Sequence, residues 1–143
     1  MSENISFETT IRVRYCEVDK MGVLHHSRYL AYFEIGRTEF LRTSGFSYRE
    51  FEDARLYLVI VKVSCNYKYP IRYDDVVRVI TTLKRMTPAK IEHTYEIWNE
   101  DKSILHAAGE STLACVDDTG TLQRIPDFLL NLSYPSPPKS GGD

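Results

Sequence analysis

The densest collection of reactive side chains lies between positions 15 and 29, Tyr-Cys-Glu-Val-Asp-Lys-Met-Gly-Val-Leu-His-His-Ser-Arg-Tyr. It sets acids, Gly22 and the pair His25 and His26 just ahead of a segment with helical periodicity. A helix N-terminus offers unpaired backbone N–H groups and partial positive charge, which suits an anion or a developing oxyanion. A carboxylate beside it, such as Asp19, could act as a base on water or attack an acyl carbon directly. Together these are the minimum for acyl transfer: a group that attacks, and a donor that holds the negative oxygen. The same residues have plainer uses, because an Asp in a loop before a helix commonly caps it or carries a solvated charge. Adjacent histidines point in different directions, and no Cys or acid stands at ligand spacing, so no metal site is expected.

The elements that must position this cluster follow from hydrophobic period. Phe7 to Tyr15 alternates as a half-buried strand, with Phe7, Ile11, Val13 and Tyr15 on one parity. A loop from Glu17 to His26 leads to Ser27, the expected N-cap of a helix running to about Thr43, with Gly45 just beyond its end. Tyr29, Leu30, Phe33, Gly36, Phe40 and Leu41 fall on one helix face. Arg37 lands inside that face and needs a partner; Glu17 and Glu110 are the candidates, and a snorkelling guanidinium is the alternative. Phe46 to Arg55 reads as a second, small helix. The period then changes to 2, giving strands at Tyr57 to Tyr69, Val76 to Met86, Ile91 to Trp98 and Ile104 to Val116. Short polar turns at Asn99 to Ser103 and after Val116 favour antiparallel pairing. Pro126 to Leu132 could form a last helical turn. One long helix beside such a sheet must lie on its apolar face, which makes an α+β domain. The small residues Ala107, Ala108, Gly109, Ser111 and Ala114 would let that helix approach closely.

At 143 residues, one domain over 1–133 is expected, followed by a flexible Pro/Gly-rich tail over 134–143. A net charge of -2 without a basic block gives no sign of nucleic acid or an anionic membrane as partner. No apolar run approaches the ~20 residues needed to span a bilayer, and the start of the chain lacks the pattern of a signal peptide. The three cysteines, Cys16, Cys65 and Cys115, are far apart and odd in number, which suits a reduced, cytoplasmic setting. Each is expected to be a small buried hydrophobe rather than a nucleophile.

The segment Tyr15, Asp19, Gly22, Val23, Leu24, His26 and Tyr29 resembles the signature of the hotdog-fold acyl-CoA thioesterases, in the 4-hydroxybenzoyl-CoA thioesterase branch. The helix continues the resemblance from Tyr32 to Arg42, and the strands extend it to Arg124-Ile125-Pro126. The resemblance implies a hotdog fold, an antiparallel five-stranded sheet wrapped around one long central helix. It implies hydrolysis of an acyl-CoA to free acid and CoA, with no cofactor, in a homodimer or homotetramer whose active sites use residues from two chains. Asp19 would be nucleophile or general base. The backbone N–H at His26 would polarise the thioester carbonyl, and its imidazole would orient water or substrate. Tyr15, Gly22 and Glu34 would support the site. Arg85, Lys90 and Arg124 match positions for the phosphates of CoA, although strand-edge charges that discourage aggregation would look the same. Two departures stand out: Glu17 replaces the family's usual Asp, and His25 replaces an aromatic residue, which bears on acyl preference. The acyl pocket is expected around Tyr57 to Val61 and the helix face. Two other readings remain, a non-catalytic acyl-CoA-binding domain and an acyl thioester hydratase or dehydratase.

Overall fold

Alternating strands and one amphipathic helix assemble as their patterns require. The computed structural model describes residues 5–131; the tail expected over 134–143 lies outside them. In chain order the elements are β1 (Ile5–Arg12), a 3-10 turn (Tyr15–Glu17), α1 (Ser27–Thr43) and α2 (Tyr48–Asp53). They continue as β2 (Leu56–Tyr67), β3 (Val76–Met86), β4 (Ile91–Asn99), β5 (Leu105–Asp117), β6 (Leu122–Gln123) and α3 (Asp127–Leu130). The strands form one antiparallel sheet in the order β1-β3-β4-β5-β2, with β6 added to β5. The expected five strands are therefore six, because the chain after Gly120 pairs briefly with β5 through Cys115 and Val116. The sheet curls around α1 in the hotdog arrangement.

The stripe that α1 buries is Tyr29, Tyr32, Phe33, Gly36, Arg37, Phe40 and Leu41, a run of i, i+3, i+4 spacings. Leu30 does not belong to it and is 39% exposed. Tyr32 takes the inward position because its hydroxyl has a buried acceptor in Glu17, at 2.8 Å. Gly36 and Gly109 are where helix and sheet come closest. A Cβ on Gly36 would run into Thr81, and one on Gly109 would meet the Phe33 ring at 2.5 Å and the Ser64 carbonyl. Phe33 in turn stacks on Tyr95, with ring centroids 4.4 Å apart.

The core has two apolar ends and a polar waist. Val13, Leu24, Tyr29, Tyr32, Phe33 and Ile71 gather at the end where α1 begins. Leu41, Phe46, Phe51, Ile91, Ile125 and Leu129 gather where it ends. Between them, Arg37 donates to the Tyr95 hydroxyl at 3.1 Å, and that hydroxyl lies 2.6 Å from Ser111. Neither carboxylate expected for Arg37 reaches it: Glu17 is engaged by Arg14 and Tyr32, and Glu110 faces Lys84 at 3.8 Å. His93 sits in the same waist, fully buried, with neither ring nitrogen hydrogen-bonded among the described residues. Burial, and then the Arg37 charge, pull its pKa down to about 3.

The end of β1 also moved. β1 ends at Arg12 rather than Tyr15, because the Val13 N–H turns to the Asp75 carbonyl and the chain enters the 3-10 turn. Cys115 is buried as expected and Cys65 partly so, but Cys16, in that turn, is exposed.

A depressed His93 means that the unfolded chain takes up a proton near pH 6.5 while the fold does not until about pH 3. The contribution to stability is whole above pH 6.5 and is lost as pH falls toward 3. Urea unfolding should show the parent losing about 2 kcal/mol more than His93→Leu between pH 7 and pH 5. Equal losses would place the acid sensitivity elsewhere. Gly109→Ala should cost about 1–3 kcal/mol by overpacking against Phe33, read as a lower urea midpoint at unchanged slope.

Candidate active site

The loop ahead of α1 is a small hairpin. The His25 N–H donates to the Glu17 carbonyl at 3.0 Å, Val18 bridges Leu24, and the Asp19 N–H donates to the Val23 carbonyl at 2.9 Å. Gly22 closes the tip at φ +80, a conformation that suits glycine. Asp19 locks this tip: its Oδ1 accepts from the N–H of Met21 at 2.8 Å and of Val23 at 3.3 Å. Among the described residues no donor holds its Oδ2. The turn-capping role that the sequence left open is therefore real, and it occupies only one of the two carboxylate oxygens. Asp19 is exposed and lines a cleft of 560 Å³ with Tyr15, Val18, Lys20, Gly22 and Tyr73. Tyr15 and Tyr73 meet edge to face there, 5.5 Å between centroids.

Glu17 ties this loop to the helix. It is 5% exposed and accepts from the Arg14 N–H at 2.9 Å and the Tyr32 hydroxyl at 2.8 Å. Burial alone would raise its carboxyl; these hydrogen bonds and the Arg14 guanidinium outweigh that and hold it below the usual range. Burial, and then Glu17, push the Tyr32 phenol up, so it remains the donor.

The helix start is not capped by Ser27. His26 is the N-cap residue, without a side-chain cap of its own, and Ser27 is the first helical residue. The Ser27 N–H turns back to His25 Nδ1 at 3.2 Å, and the Arg28 N–H to the His25 carbonyl at 2.9 Å. The Tyr29 N–H lies 3.4 Å from the His26 carbonyl. The His26 N–H is left with no acceptor among the described residues. His25, at the position where the family has an aromatic, thus serves as the cap, and its ring lies 4.2 Å from that of His26. His26 opens onto a second cleft of 330 Å³, walled by Val23, Leu24, Tyr29, Tyr67, Tyr69 and Pro70.

Tyr15, Asp19 and Gly22 thus share one cleft, and His26 borders its neighbour across the same hairpin. Glu34 is exposed on α1 and lines neither cleft. Tyr57 to Val61 lie at the opposite end of β2 from these clefts; Tyr67, Tyr69 and Tyr73 form walls instead. Their only advance signal is the run of tyrosines around Pro70. Arg85, Lys90 and Arg124 gather at the far end of the sheet, around the β3–β4 turn, where the Ile125 N–H donates to the Pro88 carbonyl at 2.8 Å. Lys90 faces Glu92 at 3.0 Å and Arg124 faces Asp127 at 2.8 Å. An 11-residue β3 separates the two ends, roughly 30 Å at strand rise.

Comparison with known proteins agrees with this fold. Residues 13–132 match the family model described as Thioesterase-like superfamily. The acyl-CoA thioester hydrolase YbgC of Escherichia coli O157:H7 is 33% identical over 111 residues, 78% of this chain and 82% of that protein. The acyl-CoA thioesterase YbgC of Haemophilus influenzae is 30% identical over 112 residues, 78% of this chain and 81% of its own length. The structure of the DHNA-CoA thioesterase of Staphylococcus aureus superposes with a TM-score of 0.81 at 33% identity, over 87% of this chain and 86% of that one. With the hotdog sheet, the Asp19 loop and these matches together, the chain belongs to the thioesterase-like superfamily.

Proposed function

We propose that this protein hydrolyses an acyl-CoA thioester to a carboxylic acid and free CoA. One observation carries the reading: the hairpin whose Asp19 keeps an uncommitted carboxylate oxygen runs straight into a helix start whose His26 N–H is also uncommitted, the two residues lining neighbouring clefts. The thioester carbonyl would lie against that N–H, which donates to its oxygen as negative charge develops there and the carbonyl carbon turns tetrahedral. Asp19 either removes a proton from the attacking water or attacks first, forming a mixed anhydride that water then opens. Both routes consume one water, break the carbon–sulfur bond and release the thiol. The relatives named as acyl-CoA thioesterases support the substrate class. Three cysteines without a disulfide suit a reduced, cytoplasmic setting, and among the described residues no helix is long and apolar enough to cross a membrane.

The reading includes a shared site. β2 is an edge strand of 12 residues that leaves Tyr57, Val59, Ile60, Val61 and Val63 exposed. A long apolar edge calls for a partner strand. Two-fold antiparallel pairing of β2 with its copy would reverse the ends. The partner's Arg85, Lys90 and Arg124 end, together with its 57–61 segment, would then approach this chain's Asp19 and His26. Basic groups that one chain holds too far from Asp19 would so be within reach of the CoA phosphates.

Asp19→Asn keeps an oxygen to lock the loop but has no basic oxygen. It should lower thiol release from acyl-CoAs at least about 100-fold with an unchanged unfolding midpoint. His26→Ala keeps the backbone N–H and should cost less than about tenfold. Single turnover in heavy-oxygen water tests for direct attack: label appears in the Asp19 carboxylate only when Asp19 has attacked and water opens the anhydride at the Asp19 carbonyl. Val61→Asp should convert the sedimenting species to a monomer and remove most activity with it. A monomeric, fully active variant would dismiss the shared site.

A further inference from the structure

Tyr67 is the last residue of β2, and it reaches across to α1. Its hydroxyl donates to the His26 carbonyl at 3.2 Å, and its ring meets the buried Tyr29 ring edge-on at 4.7 Å. The His26 carbonyl and the Ser27 N–H belong to one peptide group. That N–H is held from the other side by His25 Nδ1 at 3.2 Å, an imidazole that also lies 2.8 Å from the Ser27 hydroxyl. One peptide plane is therefore gripped at both of its ends, by a strand tyrosine and a loop histidine. The plane next to it carries the His26 N–H, and His26 lines the cleft that Tyr29 and Tyr67 wall.

An oxyanion donor works only when it is aimed at where the charge develops, within a few tenths of an ångström. A helix start has fewer backbone restraints than a helix interior, since its first N–H groups lack intrahelical partners. Side chains must supply the rigidity that the ladder does not. We infer that Tyr67 is a positioning residue for hydrolysis, clamping the peptide between His26 and Ser27 so that the His26 N–H faces the thioester carbonyl. This rests on the oxyanion role proposed above for that N–H. Burial, reinforced by neighbouring Cys65, raises the Tyr67 phenol, so the hydroxyl remains a donor throughout the neutral range. Closure of the cleft over a bound acyl group would exclude water and strengthen the bond. Because Tyr67 stands on the edge strand, whatever pairs with β2 also steadies the donor.

The test compares Tyr67→Phe, Tyr67→Leu and Asp19→Asn in the full-length protein, with kcat and KM for an acyl-CoA that the parent turns over and the thermal midpoint of each. Tyr67→Phe keeps the ring against Tyr29 and removes only the hydroxyl. It should lower kcat about tenfold, with KM within twofold and an unchanged midpoint. Tyr67→Leu should lose the same kcat and also lower the midpoint, which separates packing from aim. A Tyr67→Phe variant with parental kcat, beside an inactive Asp19→Asn, overturns the clamp and leaves the hydrolysis mechanism standing. A loss confined to KM, or a midpoint as low as that of Tyr67→Leu, makes Tyr67 a packing residue and likewise overturns it. An Asp19→Asn variant as fast as the parent removes the mechanism, and the clamp with it.

Discussion

The close approach of α1 to the sheet governs the rest of the molecule. At Gly36 and Gly109 there is no room for a side chain, so the Thr81 and Val79 side chains pack directly on the helix backbone and the Phe33 ring directly on the strand backbone. That contact seats Phe33 on Tyr95 and fixes both the depth and the rotation of the helix. Rotation decides which residues form the buried stripe, and depth decides where the first turn emerges. The hairpin from Glu17 to His25 then has one place to lie, because Glu17 must reach Tyr32 and the Leu24 N–H must reach the Ile71 carbonyl, at 2.7 Å. Asp19 and the His26 N–H inherit their positions from a packing contact well along the helix.

The polar waist is the cost of that geometry. Burying each large apolar side chain contributes about 1.5–3 kcal/mol, and the two apolar clusters supply most of the stabilisation. Between them Arg37, Tyr95 and Ser111 form a short chain of hydrogen bonds, while His93 and the Thr81 hydroxyl have none among the described residues. Groups left so are destabilising by about 1–3 kcal/mol each. The waist also specifies register. Sliding α1 by one turn would put Arg37 into an apolar cluster and leave the Tyr95 hydroxyl without its donor.

What the sequence disclosed follows the range of the interactions involved. The bounds of β3 and the extent of α1 were legible because period and end signals are local. Gly109 was legible as a small residue facing a helix because its neighbours in β5 are small too. Leu30 misled because hydrophobicity favoured it over Tyr32, and only the distant Glu17 makes Tyr32 the better core residue. The partner of Arg37 was missed because a phenol across the sheet met a need that suggested a carboxylate. Ser27 seemed the cap since it is the usual type, yet the imidazole two residues earlier folds back over the first turn. Asp19 and the helix start at His26 stood out by residue type and position, but only the family pattern around them favoured chemistry over capping. Tyr67 had no such pattern, and its relation to His26 depends on a strand 41 residues away.

The two oxygens of Asp19 stand in different surroundings. One holds the hairpin tip by accepting two backbone N–H groups, and the other is open to the cleft. Folding therefore reads the residue as an amide-sized acceptor, while the proposed hydrolysis would use it as a base or a nucleophile. An exchange of oxygen for nitrogen at a single atom separates the two readings. A gene carrying that change would still encode a chain that folds and presents the same clefts. Under the proposed mechanism, a hydrolase of this architecture would lie one mutational step from a protein that holds its ligand without consuming it, and natural selection for a sensor or carrier would have no fold to rebuild.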